Sequence, residues 1–159
     1  MTAYDELENE EIIYYVYNLN WLLPTETQEN AIAFLSQLPP EKADLLLPTY
    51  GKECWENGVA ILKNIGYPNN LKALPKLARL LQDRNWPGSL EAMAIFKRMG
   101  KEHSTPFIEK EINEALQFMD VDWLEHLYFA SCYIGIARED FTNKDIYSQM
   151  QHLVTTNKE

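Results

Sequence analysis

Residues 74–100 read LPKLARLLQDRNWPGSLEAMAIFKRMG, an apolar helical pattern on each side of a short polar turn. Asp83 and Asn85 are residue types that turn a chain by accepting hydrogen bonds from nearby backbone N–H groups. Pro87 fixes its own φ near the value of a first helical turn, and Gly100 follows the second apolar run as glycine often follows a helix end. The stretch therefore predicts two helices that fold back on one another.

The four tryptophans indicate that this helix pair is repeated along the chain. They lie 34, 31 and 37 residues apart, which is the length of a helix-pair repeat. We expect them to occupy equivalent structural positions between stacked helix pairs: Trp21, Trp55, Trp86 and Trp123. An apolar helix is predicted after each one, over residues 31–38, 59–65, 90–99 and 127–136.

Cap signals predict that a second helix follows each break. Thr105-Pro106 puts a proline at a first helical position, and residues 142–145 form a capping box that begins at Thr142. The helix after Thr105 has an apolar stripe that consists of Ile108, Ile112, Ala115, Leu116 and Met119. Since no window alternates apolar and polar residues with period two, the sequence predicts an all-α fold. Stacked pairs would form a short α-solenoid of about four helix pairs.

Composition limits the classes of protein to which the chain can belong. Its 159 residues suit one domain, predicted over residues 1–159. A net charge of -10 disfavours non-specific nucleic-acid binding, because the chain as a whole repels phosphate. We expect a cytoplasmic protein, because the sequence shows neither a signal peptide nor a membrane span and its two cysteines make no disulfide framework.

Residues 74–100 resemble a HEAT-like repeat, whose pattern is a helix Leu-Pro-x-Leu-x-x-Leu-Leu, an Asp-containing turn, and a second helix with alanines and a closing glycine. Residues 105–136 follow the pattern more loosely, and the first 70 residues fit it in outline. Residues 81–87, LQDRNWP, are similar to the Leu-Gln-Asp-x-Asn-Trp-Pro motif of a small bacterial HEAT-like family. The resemblance implies a HEAT-like fold, and it supplies no catalytic residue.

The sequence offers no clear catalytic, metal or cofactor site. His103, His126 and His152 lack metal-ligand spacing. Asp122 and Glu125 precede His126 in an order close to a zinc motif, but they fit a capping box better. Neither cysteine has a CxxC partner, and no glycine-rich nucleotide loop is present. We expect no enzyme, metal or cofactor, although an acid–base carboxylate pair stays open in so acidic a chain.

Acidic side chains concentrate at the two ends of the chain. Residues 1–50 hold 9 acids and 1 base, residues 51–100 hold 4 and 8, and residues 101–159 hold 11 and 5. One acidic stretch comprises Asp5, Glu6, Glu8, Glu10 and Glu11. Solubility alone would explain such charge, and the alternative is a surface that is complementary to a basic protein. The candidate partner-binding residues on such a surface are Glu109, Glu114, Asp120, Asp122, Glu125 and Asp83.

These observations favour a protein-binding module over an enzyme. The more specific hypothesis is an immunity protein that neutralises a cognate bacterial toxin, which is often basic. A second hypothesis is a HEAT-like nucleic-acid-binding or DNA-repair glycosylase-like protein that uses the basic middle third: Lys63, Lys72, Lys76, Arg79, Arg84, Lys97 and Arg98. A third is an adaptor subunit of a larger complex. The expected partner is another protein, with no membrane and with nucleic acid disfavoured.

Overall fold

The computed structural model of the chain describes residues 8–157, so Asp5 and Glu6 of the acidic N-terminal stretch lie outside the described residues. Every regular element in that range is helical, which confirms the all-α prediction. The α-helices are α1 (Asn9–Tyr17), α2 (Thr25–Leu35), α3 (Trp55–Ile65), α4 (Leu74–Arg79), α5 (Ser89–Met99), α6 (Lys101–Gln117), α7 (Val121–Ile134) and α8 (Lys144–Thr156). Short 3₁₀ helices comprise Pro40–Leu46, Lys52–Cys54, Leu71–Ala73, Leu80–Gln82 and Arg138–Asp140.

The described residues form two compact units. The first consists of the residues up to Leu77 together with Trp86–Glu91, and the second consists of Ala78–Asn85 together with the residues from Ala92 onward. Neither the single domain nor the solenoid stacking of helix pairs is tested by this division, and both stay predictions.

In the first unit, helices α1, α2 and α3 contribute apolar side chains to a core. The core includes Ile12, Val16, Ala31, Leu35, Leu46, Val59 and Leu62. Helix α3 approaches the 3₁₀ segment Pro40–Leu46 at Gly58, where a Cβ atom would lie only 2.5 Å from the carbonyl oxygen of Leu46. Glycine at this position therefore allows the two backbones to touch.

In the second unit, α6, α7 and α8 pack on one another around a shared core. That core includes Ile108, Ile112, Leu124, Leu127, Met150 and Val154. Helix α7 begins where the Asp120 side chain accepts a hydrogen bond from the backbone N–H of Trp123, and it ends at Gly135, which has a left-handed φ of 93°. The two caps fix where α7 begins and ends, and hence the position of its first turn.

Several predicted helix starts are wrong. Helices α2, α3 and α7 begin at Thr25, Trp55 and Val121, before the predicted segments 31–38, 59–65 and 127–136. Helix α6 begins at Lys101, directly after Gly100, so Pro106 lies inside the helix and not at its first position. The positive φ of Gly100 lets the chain enter the new helix five residues earlier than expected. The cap of α7 is Asp120 and not Asp122, and the cap of α8 is Asn143, whose side chain accepts from the N–H of Asp145, and not Thr142.

Candidate protein-binding surface

The turn between α6 and α7 has an unusual backbone at Met119. Its φ of 51° is left-handed, a conformation that glycine normally supplies. The N–H of Asp120 donates to the carbonyl of Ala115 at 3.1 Å, and the N–H of Met119 donates to that of Leu116 at 3.1 Å. This pair of bonds is a Schellman motif, so the turn is held by hydrogen bonds although a methionine fills the glycine position.

The same turn places two large apolar side chains in solvent. Phe118 is 74% exposed and Met119 is 62% exposed. The prediction that Met119 belongs to the buried apolar stripe of the preceding helix is therefore wrong, because the helix ends at Gln117. The ring of Phe118 stacks on Trp123, with 6.4 Å between their centroids. We call Phe118, Met119, Asp120, Asp122 and Trp123 the α6–α7 corner.

An open groove of about 600 Å³ runs along the α6–α7 corner. All five corner residues line it, together with Gln82 from the 3₁₀ helix Leu80–Gln82. Trp123 is only 5% exposed, and its indole N–H has no hydrogen-bond partner in the described chain. The groove thus combines two carboxylates, exposed apolar side chains and a buried indole, which are groups suited to contact another polypeptide.

A partly buried ion pair lies next to the corner, between a half-exposed Arg79 and a buried Glu111. The Nε of Arg79 lies 2.8 Å from Oε1 of Glu111, its Nη2 lies 3.2 Å from Oε2, and Nη2 also contacts Glu114. The guanidinium carbon is 5.1 Å from the ring centroid of Trp123, within cation–π range. Burial raises the pKa of Glu111, and the neighbouring guanidinium opposes that rise. Arg79 therefore joins α4, α6 and the first turn of α7.

The predicted partner-binding carboxylates have different environments. Asp120 and Asp122 line the corner groove, and Glu114 pairs with Arg79. Glu109 instead accepts hydrogen bonds from the backbone N–H groups of Thr142 at 2.8 Å and Asn143 at 3.2 Å, just before α8. The structure thus brings two of the candidates together in one groove and uses Glu109 to hold the start of α8.

The other two candidates lie at or near the turn of the LQDRNWP segment. The Asp83 carboxylate accepts from the N–H of Asn85 at 2.8 Å, which confirms the predicted turn, and it lies 3.7 Å from Nε2 of His126. Glu125 lies 3.8 Å from Nη2 of Arg84, whose guanidinium covers the ring of Phe129 at 4.4 Å. These carboxylates therefore have intramolecular partners.

The four tryptophans differ in their surroundings. Trp55 opens α3, is buried, and donates its indole N–H to the carbonyl of Pro48 at 2.7 Å. Trp86 precedes α5, and its ring lies 5.8 Å from that of Trp55. Trp123 is buried in the first turn of α7, whereas Trp21 is 43% exposed in the loop before α2. Their equivalence as repeat positions stays a prediction.

Residues 8–157 contain three histidines and two cysteines, the side chains that most often bind transition metals. No group of three or more His, Cys, Asp or Glu side chains in that range could hold a metal ion. Both cysteines are free: Cys54 is buried, burial raises the pKa of its thiol to about 11, and Cys132 is exposed. Over the same range, no helix has both the length and the apolar character that crossing a bilayer requires.

Sequence reasoning missed Phe118 and Glu111. Nothing marks Met119 as a left-handed residue, so the exposure of its neighbour could not be anticipated. No local pattern distinguishes Glu111 from the other acids of the chain, because its partner Arg79 is 32 residues away.

Comparison of the chain with protein-family models, curated proteins and solved structures found no match.

Proposed function

We propose that this chain is a non-catalytic, HEAT-like protein-binding module that contacts its partner through the α6–α7 corner. The observation that carries the proposal is the exposure of Phe118 and Met119 beside the carboxylates of Asp120 and Asp122 in one groove. Exposed aromatic side chains at a fixed position are typical anchors of protein interfaces.

The fixed geometry of the corner supports this role. A left-handed methionine costs on the order of 1 kcal/mol relative to glycine. The Schellman hydrogen bonds hold Met119 in that conformation, and Trp123 supports the ring of Phe118. The backbone of this turn and the ring of Phe118 would therefore lose little conformational entropy on binding, which favours tight binding.

The partner that we propose is a basic protein, and the specific role is that of a bacterial immunity protein, or antitoxin, which blocks a cognate toxin. A net charge of -10 would accelerate association with a basic surface. Asp120 and Asp122 would then pair with cationic side chains around the apolar contact of Phe118. We place the protein in the cytoplasm, where the free thiols of Cys54 and Cys132 would stay reduced.

Co-expression with the protein encoded beside this one in the genome tests the proposal. The unaltered chain should relieve growth inhibition by that neighbour. Combined F118A and M119A substitutions should abolish the relief while the melting temperature stays within a few degrees, because both side chains are exposed. If the neighbour inhibits growth and the double variant still protects against it, the corner is not the contact surface.

A matched pair of charge variants tests the electrostatic part. Asp122 and Asp145 are exposed acids in the first turns of α7 and α8, so each interacts with its helix dipole in a similar way. D122N should weaken the relief of growth inhibition, and D145N should leave it unchanged. Equal effects of the two would show that general acidity, and not the groove, attracts the partner.

Ion pairing disfavours the DNA-binding alternative. Arg79 is held by Glu111 and Glu114, and Arg84 lies close to Glu125. These arginines would have to leave their carboxylates before they could contact phosphates. The adaptor alternative differs from immunity in its partner, and a stoichiometric complex with an essential housekeeping enzyme would favour it.

A further inference from the structure

A second exposed apolar pair lies in the first unit, on the loop that leads to α2. Leu22 is 77% exposed and Trp21 is 43% exposed. The side chain of Asn20 accepts a hydrogen bond from the N–H of Leu22 at 2.8 Å, and the carbonyl of Asn20 accepts from the N–H of Leu23 at 3.1 Å. These bonds close a tight turn that directs Trp21 and Leu22 outward.

Two amides hold this turn in place. The Nε2 of Gln28 donates to the carbonyls of Leu23 at 2.7 Å and Trp21 at 3.2 Å. The Nδ2 of Asn57, from α3, donates to the carbonyl of Leu19 at 2.7 Å and to Oε1 of Gln28 at 3.0 Å. The backbone N–H of Trp21 is also bound, by the carbonyl of Glu53 at 3.1 Å. The exposed pair is thus fixed from three segments of the unit.

Two tyrosines continue the exposed surface. The hydroxyl of Tyr17 donates to the carbonyl of Tyr50 at 3.2 Å, and both residues are exposed. A Cβ atom on Gly51 would lie 3.2 Å from the ring of Tyr17, so this ring packs against the backbone at Gly51, two residues before Glu53. We call Tyr17, Trp21, Leu22 and Tyr50 the Trp21 surface.

The charge of the surrounding segment indicates the kind of partner. Residues 8–57 contain two lysines and nine acids, which are Glu8, Glu10, Glu11, Glu26, Glu29, Glu41, Asp44, Glu53 and Glu56. Both lysines have contacts elsewhere: Lys42 donates to Asn9 at 2.6 Å, and the Nζ of Lys52 lies 4.7 Å from the ring centroid of Trp86. The negative charge of the segment therefore exceeds what its own lysines can balance.

We infer that the Trp21 surface docks a partner segment in which lysine or arginine side chains alternate with apolar ones. The apolar side chains would cover Leu22 and Trp21, and the cationic ones would meet the indole and phenol rings and be attracted by the net negative charge of residues 8–57. The inference takes from the proposed function only that the partner is a protein, and it concerns a surface in the other unit.

Indole NMR resonances give a direct test, because the chain has four tryptophans in different environments. The full chain, labelled with ¹⁵N, is titrated with a short peptide of alternating arginine and leucine and, separately, with a peptide of alternating glutamate and leucine. The arginine peptide should shift the Trp21 indole resonance saturably and leave the buried Trp55 resonance in place. The glutamate peptide should shift neither.

Substitutions separate this surface from the α6–α7 corner. L22A should weaken binding of the arginine peptide about tenfold, as expected for an interface anchor. L90A removes an equally apolar exposed side chain from α5 and should leave the affinity unchanged. The inference is overturned if Trp21 does not respond, if both peptides shift it alike, or if L22A and L90A behave alike. Such a failure leaves the proposed function standing, because that function is tested with F118A and M119A.

Discussion

Replacing Arg79 with methionine tests how the α6–α7 corner is supported. Methionine keeps much of the apolar stem of Arg79 and removes the charge that faces Glu111. The Glu111 side chain is only 6% exposed, so the variant would leave a buried carboxylate without its cation. Removing one member of a buried pair costs about 3–5 kcal/mol, and the partial exposure of Arg79 brings this toward about 2–3 kcal/mol.

The contact of Arg79 with Trp123 adds to this loss. A cation over an indole contributes roughly 0.5–1 kcal/mol at a partly exposed site. The expected total for R79M is therefore about 3 kcal/mol, which corresponds to a drop in melting temperature of about 6–12 °C for a chain of this length. Urea denaturation followed by far-UV circular dichroism gives the free energy of unfolding.

The free energy of unfolding that R79M loses should depend on pH. Burial raises the pKa of Glu111 in the folded chain above that of an ordinary glutamate, so the folded state binds more protons than the unfolded state between those two pKa values. Stability contributed by Glu111 is thus lost as pH rises through this window. Removing Arg79 raises the folded pKa of Glu111 further, so R79M should lose more stability than the original chain as pH rises. The difference in unfolding free energy between the original chain and R79M should therefore be smaller near about pH 4 than near about pH 8.

A double variant identifies the source of the loss. R79M combined with E111Q should be more stable than R79M alone, because a neutral amide does not require the missing cation. R79M combined with E114Q is the matched control and should recover less, since Glu114 is half-buried. Two results would refute the proposed role of the ion pair. One is a stability loss in R79M that is independent of pH, and the other is a double variant whose loss equals the sum of the losses of R79M and E111Q.

Three further outcomes follow from the geometry. G58A should destabilise the chain by about 1–3 kcal/mol in spite of its better helix propensity, because its Cβ would clash with the carbonyl of Leu46; a melting temperature at or above the original would contradict this. Of the two thiols, Cys132 should react quickly with a thiol reagent in the folded chain and Cys54 should not, because burial raises its pKa to about 11; mass spectrometry of the labelled chain would detect the opposite pattern. D120A should cost about 0.5–2 kcal/mol of unfolding free energy through loss of the α7 cap, and a loss no larger than that of D122A would argue against this cap.

Local signals made the presence of the helices and some of their ends predictable. Helix α5 begins one residue before the predicted segment, at Ser89, and ends at Met99, directly before Gly100 as predicted. Pro87 does not form its first turn, because Gly88 with a positive φ lies between Pro87 and the helix. The turn at Asp83 is confirmed because an Asx side chain bonds to the backbone only two residues away. Such features depend on neighbours in sequence, and they can be read without the fold.

Features that depend on distant contacts were not predictable. The pairing of Arg79 with Glu111 joins residues 32 positions apart, and no local pattern selects that acid over its neighbours. Met119 adopts a glycine-like φ without any glycine in the turn, so the display of Phe118 could not be read from the sequence. For the same reason the exposure of Trp21 distinguishes it from the buried Trp123 only once tertiary packing is known.

Calorimetric titration of this chain with the protein encoded beside it tests the central claim most directly. We predict a saturable complex whose dissociation constant rises about 100-fold or more when Phe118 and Met119 are both replaced by alanine, as expected for two interface anchors. The melting temperature of that variant should stay close to the original. A complex of unchanged affinity would contradict the assignment of the α6–α7 corner as the binding surface.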